Sequence, residues 1–259
     1  MNEAPRVRPH ALNNVVVPGR EILRCEVGST LHGIGIGSDD LDLMGVTVEP
    51  TSTITGLGRF EHFVWRTADE GQRSGPDDVD LTVYGLKKYV WLATEGNPTV
   101  LLPLYAPDAF LTHVDEYGAE LRALRGAIVS QVCRPRFLGY LESQRRRVLE
   151  RRGSGRGSLE GRWEKWASHM VRLGFEACEL LSTGELTLPM PAEHAEYCKA
   201  IKRGDIALDE ALTRAEELEQ RAAAIDTSPL PAEPDLERVQ TWMHGVYQRV
   251  LFDATADPG

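Results

Sequence analysis

The chain has 259 residues, of which 42% are hydrophobic and 26% charged, the proportions of a globular protein with a substantial core. Its net charge of −10 argues against a general nucleic-acid coat, whose balance is normally basic, while leaving room for a local basic groove. No apolar run approaches the ~18 residues of a membrane span, and the opening "MNEAPRVRPHALNNVVVPG" lacks the apolar core of a secretory signal. A cytoplasmic protein without membrane attachment is expected. Cys25, Cys133, Cys178 and Cys198 are scattered, with no C-x-x-C pair, as expected of idle or buried thiols. His194 and Cys198 stand four apart but would leave two ligands of a structural zinc site unsupplied.

In chain order, "EILRCEV" (Glu21 to Val27) reads as a strand ending at a Gly28-Ser29 turn. A glycine-rich connection leads to "DLDLMGVTV" (Asp40 to Val48), where Leu41, Leu43, Val46 and Val48 favour burial and Asp40 and Asp42 share the other face. "GIGIG" in that connection loosely resembles a dinucleotide-binding loop, but a strand rather than a helix follows it. A looser stretch holds one strand around "HFVW". "DVDLTV" is a third short strand running into the helix "YGLKKYVWLATEG", whose Leu86, Tyr89, Val90 and Ala93 form an i, i+3, i+4, i+7 stripe. Gly96 and Asn97-Pro98 stop that helix. "TVLLPLYAPDAFL" is apolar and of undetermined type.

From about Asp115 the pattern is helical through to the C-terminus, with "GSGRGSLEGR" reading as a mobile interruption. The expected fold class is therefore α+β: a small mixed sheet with flanking helices over residues 1–112, then an all-helical domain over 113–259 with a flexible basic loop near 151–161. The apolar faces of the last helices could close an intrachain core or a dimer, so the oligomeric state stays open.

The aspartates carry the chemistry. Residues i and i+2 of a strand project together, so Asp40 and Asp42 lie side by side, where two carboxylates repel unless something positive joins them. Hard oxygen ligands of this kind suit Mg²⁺ or Mn²⁺. A third carboxylate would allow two ions about 3.5–4 Å apart, the clamp used in phosphoryl displacement. Asp80, in an apolar strand just before a helix, is the candidate. Gly28 lets backbone approach a phosphate, and the N–H groups and hydroxyl at Ser29 can hold the outer phosphates of a nucleotide. A solvated strand edge and an ordinary Gly-Ser turn are the plainer alternative.

"VGS…SDDLDLMGV" resembles the signature of nucleotidyltransferases of the DNA polymerase β superfamily. "DLTVYGLKKYVWLATEGNPTVLLPLY", "FLGYLESQ" and "KWASHMVRLGFEACELLSTGELTL" are similar, in order, to later blocks of a bacterial and phage branch, some of it linked to RNA repair. The resemblance runs from about residue 20 to 225. It implies a nucleotidyltransferase sheet, Gly28 and Ser29 on the triphosphate, Asp40 and Asp42 on two metal ions, and Asp80 as third ligand activating the acceptor hydroxyl. The chain departs from the branch pattern at His32, more often aromatic, at Tyr84-Gly85, often His-Glu, and at Trp166, often histidine, which leaves acceptor specificity in question.

Supporting cations follow. Lys165, His169 and Arg172 share one helical face that could meet the triphosphate or an RNA end, while Ala167, Met170, Leu173 and Gly174 pack another. Lys87 or Lys88, opening a helix beside Asp80, could reach a phosphate. Tyr140 and Gln144 could hold a base or pack against a neighbouring helix. The arginines from Arg134 to Arg162 could bind a polyanion through phosphate contacts, or form a solvated face. They lack the interleaved aromatics of a single-strand stacking platform. The expected function is transfer of a nucleoside monophosphate from an NTP to an acceptor hydroxyl, first of all an RNA or tRNA end, with release of pyrophosphate. The alternatives are a protein-modifying nucleotidyltransferase of a toxin–antitoxin kind and a non-catalytic nucleotide sensor.

Overall fold

A computed structural model describes residues 12, 15–37, 40–68, 75, 78–153 and 163–256. Most of the basic loop expected near 151–161 lies outside the described residues. The fold is α+β as expected, a five-stranded mixed sheet in which β3 (His62–Arg66), β4 (Val79–Gly85), β2 (Leu41–Val48), β1 (Arg20–Glu26) and β5 (Leu111–Val114) lie side by side in that order, with flanking helices and a helical C-terminal region. Strand β1 (Arg20–Glu26) is followed by the short helix α1 (Gly28–His32), β2 (Leu41–Val48), α2 (Thr51–Ile54), β3 (His62–Arg66), β4 (Val79–Gly85) and α3 (Leu86–Thr94). Then come α4 (Leu102–Tyr105), β5 (Leu111–Val114), α5 (Glu116–Ala123) and α6 (Arg125–Ile128). The remainder is helical: α7 (Cys133–Gly153), α8 (Trp163–Thr183), α9 (Ala192–Arg203), α10 (Leu208–Ala223) and α11 (Leu236–Ala256).

Strand β5 was not legible in the sequence. It is four residues long and lies antiparallel along the outer edge of β1, with Leu23 opposite Val114. Only that pairing makes the segment a strand, and the sheet therefore takes in residues up to Val114.

The register decides where the chemistry sits. β2 and β4 are parallel, with Asp42 opposite Asp80, Met44 opposite Thr82 and Val46 opposite Tyr84. β3 is antiparallel to β4, with Arg66 opposite Asp80, Val64 opposite Thr82 and His62 opposite Tyr84. Side chains alternate faces along a strand. One face of this corner buries Leu41, Leu43, Val79, Leu81 and Val83 in a small core packed by Phe63 and Trp65. The other face begins with carboxylates and continues into Met44 and Val46, which belong to a second core.

That second core is continuous from the sheet to the C-terminal helices: Ile22 and Leu23 of β1 are in the same cluster as Met170, Leu180 and Ile201. Ala167, Met170, Leu173 and Gly174 are all buried, as their spacing implied. Gly174 lets α8 and α10 approach closely, since a Cβ there would stand 2.8 Å from Leu218 Cβ. The result is a helical layer that closes over the carboxylate edge of the sheet.

Candidate active site

Val27 donates its N–H to the Asp42 carbonyl (2.9 Å) and so ties the end of β1 to the start of β2. The chain then turns at Gly28, φ +64°, and enters α1 rather than leaving as the simple turn the sequence suggested. Gly33 ends that helix in the left-handed region, with its N–H bonded back to Thr30. Two features require glycine at 28. The positive φ strains any L side chain, and a Cβ there would lie 2.0 Å from Asp42 Oδ2. The Asp42 carboxylate occupies the space that this missing side chain leaves.

Asp40, Asp42 and Asp80, all half-buried, bring carboxylate oxygens within 4.8 Å of one another. Asp40 and Asp42 meet because they are i and i+2, and Asp80 joins them through the parallel register. Two oxygens on one Mg²⁺ lie up to roughly 4.2 Å apart, so the cluster needs only slight contraction to share ions. An all-oxygen set with no thiolate or imidazole fits Mg²⁺ or Mn²⁺. Among the described residues these three are the group that could hold metal.

The carboxylates open into a cavity of about 460 Å³, within the size range of small-molecule sites. Its far wall comes from the helical layer, where Lys165, His169 and Arg172 of α8 reach it as their common face implied. Lys202 of α9, not singled out in the sequence, also lines it and donates to Ser29 Oγ at 2.7 Å. Nothing in the local pattern of "CKAIKRG" distinguishes Lys202 from its neighbours; the packing of α9 against α8 places it. Lys87 is not brought in. It lies exposed on α3, outside the cavity wall, and its backbone N–H caps onto Glu49 at 3.1 Å.

Behind this wall lies a buried polar cluster. Arg172 Nη1 donates to both Glu176 oxygens (2.7 and 2.8 Å) and to His32 Nε2 (2.9 Å). A guanidinium has no acceptor, so His32 Nε2 must be the bare nitrogen and Nδ1 carries the proton, 2.9 Å from Glu176 Oε1. Burial, and then the nearby Arg172, hold the His32 pKa below its usual value. Burial works to raise the pKa of Glu176, but Arg172 and His32 outweigh it and bring it down to about 2. His169 is pushed down to about 3 by desolvation, reinforced by Arg172. The neutral His32 imidazole and the Glu176 carboxylate thus hold a single guanidinium at the cavity wall, and His32 joins α1 to α8. Met190 reinforces the link through its N–H to the His32 carbonyl (3.2 Å).

Arg66 at the end of β3 was also missed. Its Nε and Nη2 grip Asp80 Oδ1 and Oδ2 at 2.8 and 2.6 Å. Strand alternation places Arg66 with His62 and Val64, but only the register with β4 puts it against Asp80.

Three arginines of the basic segment, Arg134, Arg136 and Arg145, serve structure, while Arg146 and Arg147 lie exposed on α7. Arg134 donates to the carbonyls of Ala222, Ala223 and Ile225 at the end of α10, Arg136 pairs with Glu95, and Arg145 bridges Glu142 and Glu219. Gln144 is buried, whereas Tyr140 stays at the surface, where its hydroxyl accepts from Asn97 (2.9 Å). Cys178 and Cys198 are buried free thiols, as are Cys25 and Cys133. Among the described residues no helix is long and apolar enough to cross a membrane.

An uncharacterized 38.9 kDa protein of the nrdC-mobD intergenic region of Enterobacteria phage T4 is 26% identical over 96 residues. That alignment covers 37% of this chain and 29% of the phage protein. The solved structure of a nucleotidyltransferase-like protein from Exiguobacterium sibiricum matches 80% of this chain and 71% of its own at 14% identity and a TM-score of 0.33, a slight likeness. The model of the RNA repair pathway DNA polymerase beta family matches residues 8–244. The chain belongs to that family.

Proposed function

We propose that the protein transfers a nucleoside monophosphate from an NTP to an acceptor hydroxyl, with an RNA or tRNA end as the acceptor. The observation that carries this reading is the meeting of Asp40, Asp42 and Asp80 within 4.8 Å, in a cavity whose other wall holds Ser29, Lys202 and Arg172. One end of the cavity is anionic and suits metal. The other is cationic and suits phosphate.

The roles follow from position. Ser29, the turn at Gly28 and Lys202 would hold the β- and γ-phosphates, with Lys165 and Arg172 completing the cationic wall. His169, neutral at physiological pH, would donate or accept a hydrogen bond without adding charge. Asp40, Asp42 and Asp80 would hold Mg²⁺ or Mn²⁺, which when bound neutralises the triphosphate and the developing charge on the transferring group. The acceptor oxygen bonds to the α-phosphorus as the bond from that phosphorus to the β-bridging oxygen breaks. Pyrophosphate leaves with the electron pair, and the hydroxyl proton passes to Asp80 or to water. Most of the rate enhancement in such a site comes from positioning and from stabilising charge.

The test is incubation with Mg²⁺ and each α-labelled NTP, in the presence of either an RNA and tRNA pool or total cell protein. Label on RNA, lost in Asp42→Asn, is the expected result. Label on protein alone would replace the RNA acceptor by a protein side chain. Tight NTP binding without any labelled product would leave nucleotide sensing.

A further inference from the structure

The fork between Arg66 and Asp80 conflicts with the role that the proposed function gives to Asp80. Both Asp80 oxygens face guanidinium N–H groups, at 2.8 and 2.6 Å. A carboxylate gripped side-on in this way offers fewer lone-pair directions to a metal and is a weaker base toward a hydroxyl proton. The two partners differ in accessibility. The Asp80 side chain is 18% exposed and that of Arg66 is 53% exposed, standing on the edge strand of the sheet. Arg66 can therefore swing outward, whereas Asp80 is held in the β4 ladder.

The surface into which Arg66 would swing has a definite chemistry. On the same face, one and two pairs along β3 and β4, stand Val64 beside Thr82 and His62 beside Tyr84. Val64 is 53% exposed, and the His62 and Tyr84 rings are tilted with centroids 6.3 Å apart. Val64, Thr82 and Tyr84 line the same cavity as the carboxylates. An apolar and aromatic shelf of this kind accepts a flat base, and a guanidinium at its border accepts a phosphate in a two-pronged contact.

Resting on the reading of the site as a nucleotidyltransferase, we infer that Arg66 is an acceptor-sensing positioning residue: the phosphodiester next to an acceptor's terminal hydroxyl draws Arg66 off Asp80, which completes the acceptor-side metal position only when a nucleic-acid 3′ end is on the β3–β4 shelf. This selects acceptors that carry a phosphate beside the hydroxyl over protein side chains and neutral small molecules.

The test uses the full chain and Mn²⁺ binding followed by electron paramagnetic resonance, without turnover. Wild type should bind one Mn²⁺ well and a second weakly. An oligoribonucleotide ending in a 3′-deoxynucleotide, which cannot react, should tighten the second about fivefold, the scale of one half-exposed ion pair. Arg66→Ala should show the tight second Mn²⁺ from the start and no further response to the oligonucleotide. Arg66→Lys keeps the charge and loses the fork; it should resemble Arg66→Ala. Wild-type behaviour in Arg66→Lys would mean that the overall field and not the fork sets the affinity, and would overturn the inference. So would an equal response of the wild type to an uncharged serine peptide. Failure of the underlying reading looks different: Mn²⁺ binding would then be insensitive to Asp42→Asn in every variant.

Discussion

Gly28 is the position where backbone, carboxylate and phosphate turn depend on one another most directly, and Gly28→Ala perturbs all three. At φ +64° an alanine bears a left-handed strain of about 1–2 kcal/mol. Its Cβ would also be placed 2.0 Å from Asp42 Oδ2 and 2.9 Å from Asp42 Cγ. A carbon–oxygen contact needs more than 3 Å, so Asp42 must move by about 1 Å, a displacement that can cost ~10²-fold in rate when it misplaces a reacting group. Metal affinity should fall by about tenfold, the lower end of what disturbing a ligand's supporting contacts costs. Gly37 provides the control. It has φ +90° with open space around it, so Gly37→Ala carries the backbone strain without the collision. Urea unfolding should show both variants destabilised by a similar 1–2 kcal/mol, whereas Mn²⁺ titration and nucleotide transfer should separate them sharply. Wild-type Mn²⁺ affinity in Gly28→Ala, or an equal loss in Gly37→Ala, would refute the claim that Asp42 occupies the space glycine leaves.

Asp42→Asn should abolish transfer, by at least ~10²-fold, since it removes charge stabilisation at the reacting centre. The same variant should leave urea stability unchanged or slightly raised, because it relieves repulsion among three carboxylates. A large loss of stability instead would mark Asp42 as structural. Lys202→Met should raise KM for the NTP about tenfold with a smaller effect on kcat, if Lys202 holds phosphates equally in ground and transition states; an unchanged KM in steady-state kinetics would remove it from the site. Acid should destabilise the fold through the buried cluster. His32 and His169 have depressed pKa values, so the native state stays unprotonated while the unfolded chain takes up protons below ~6.5, and stability falls by up to ~1.4 kcal/mol per pH unit for each imidazole. Glu176, near 2 in the fold, adds a further loss once the pH falls below about 4.3, its unfolded value. Urea unfolding at pH 7.5, 6.0 and 5.0 would show the first step, and a slope below pH 6.5 reduced by about one imidazole's share in His169→Gln, with that of His32 remaining, would assign its contribution.

How much of this was legible beforehand depended on the range of the interactions involved. Asp40 and Asp42 are two apart on a strand, and Gly28 and Ser29 are adjacent, so local periodicity was enough to set the two carboxylates side by side and the glycine and serine at the end of the first strand. Lys165, His169 and Arg172 share a face because a helix repeats every 3.6 residues, and that too is written in the chain. The strand Leu111–Val114 was invisible because four residues make a strand only when a neighbour supplies the hydrogen bonds. Arg66 meets Asp80 because of a cross-strand register, and Lys202 meets Ser29 across 173 positions. The buried union of His32, Arg172 and Glu176 requires α1 and α8 to be pressed together with water excluded. Spacing along the chain sets which side chains point the same way; which of those groups face one another across a gap is set by the packing of sheet against helices, where burial of distant apolar faces chooses the partners.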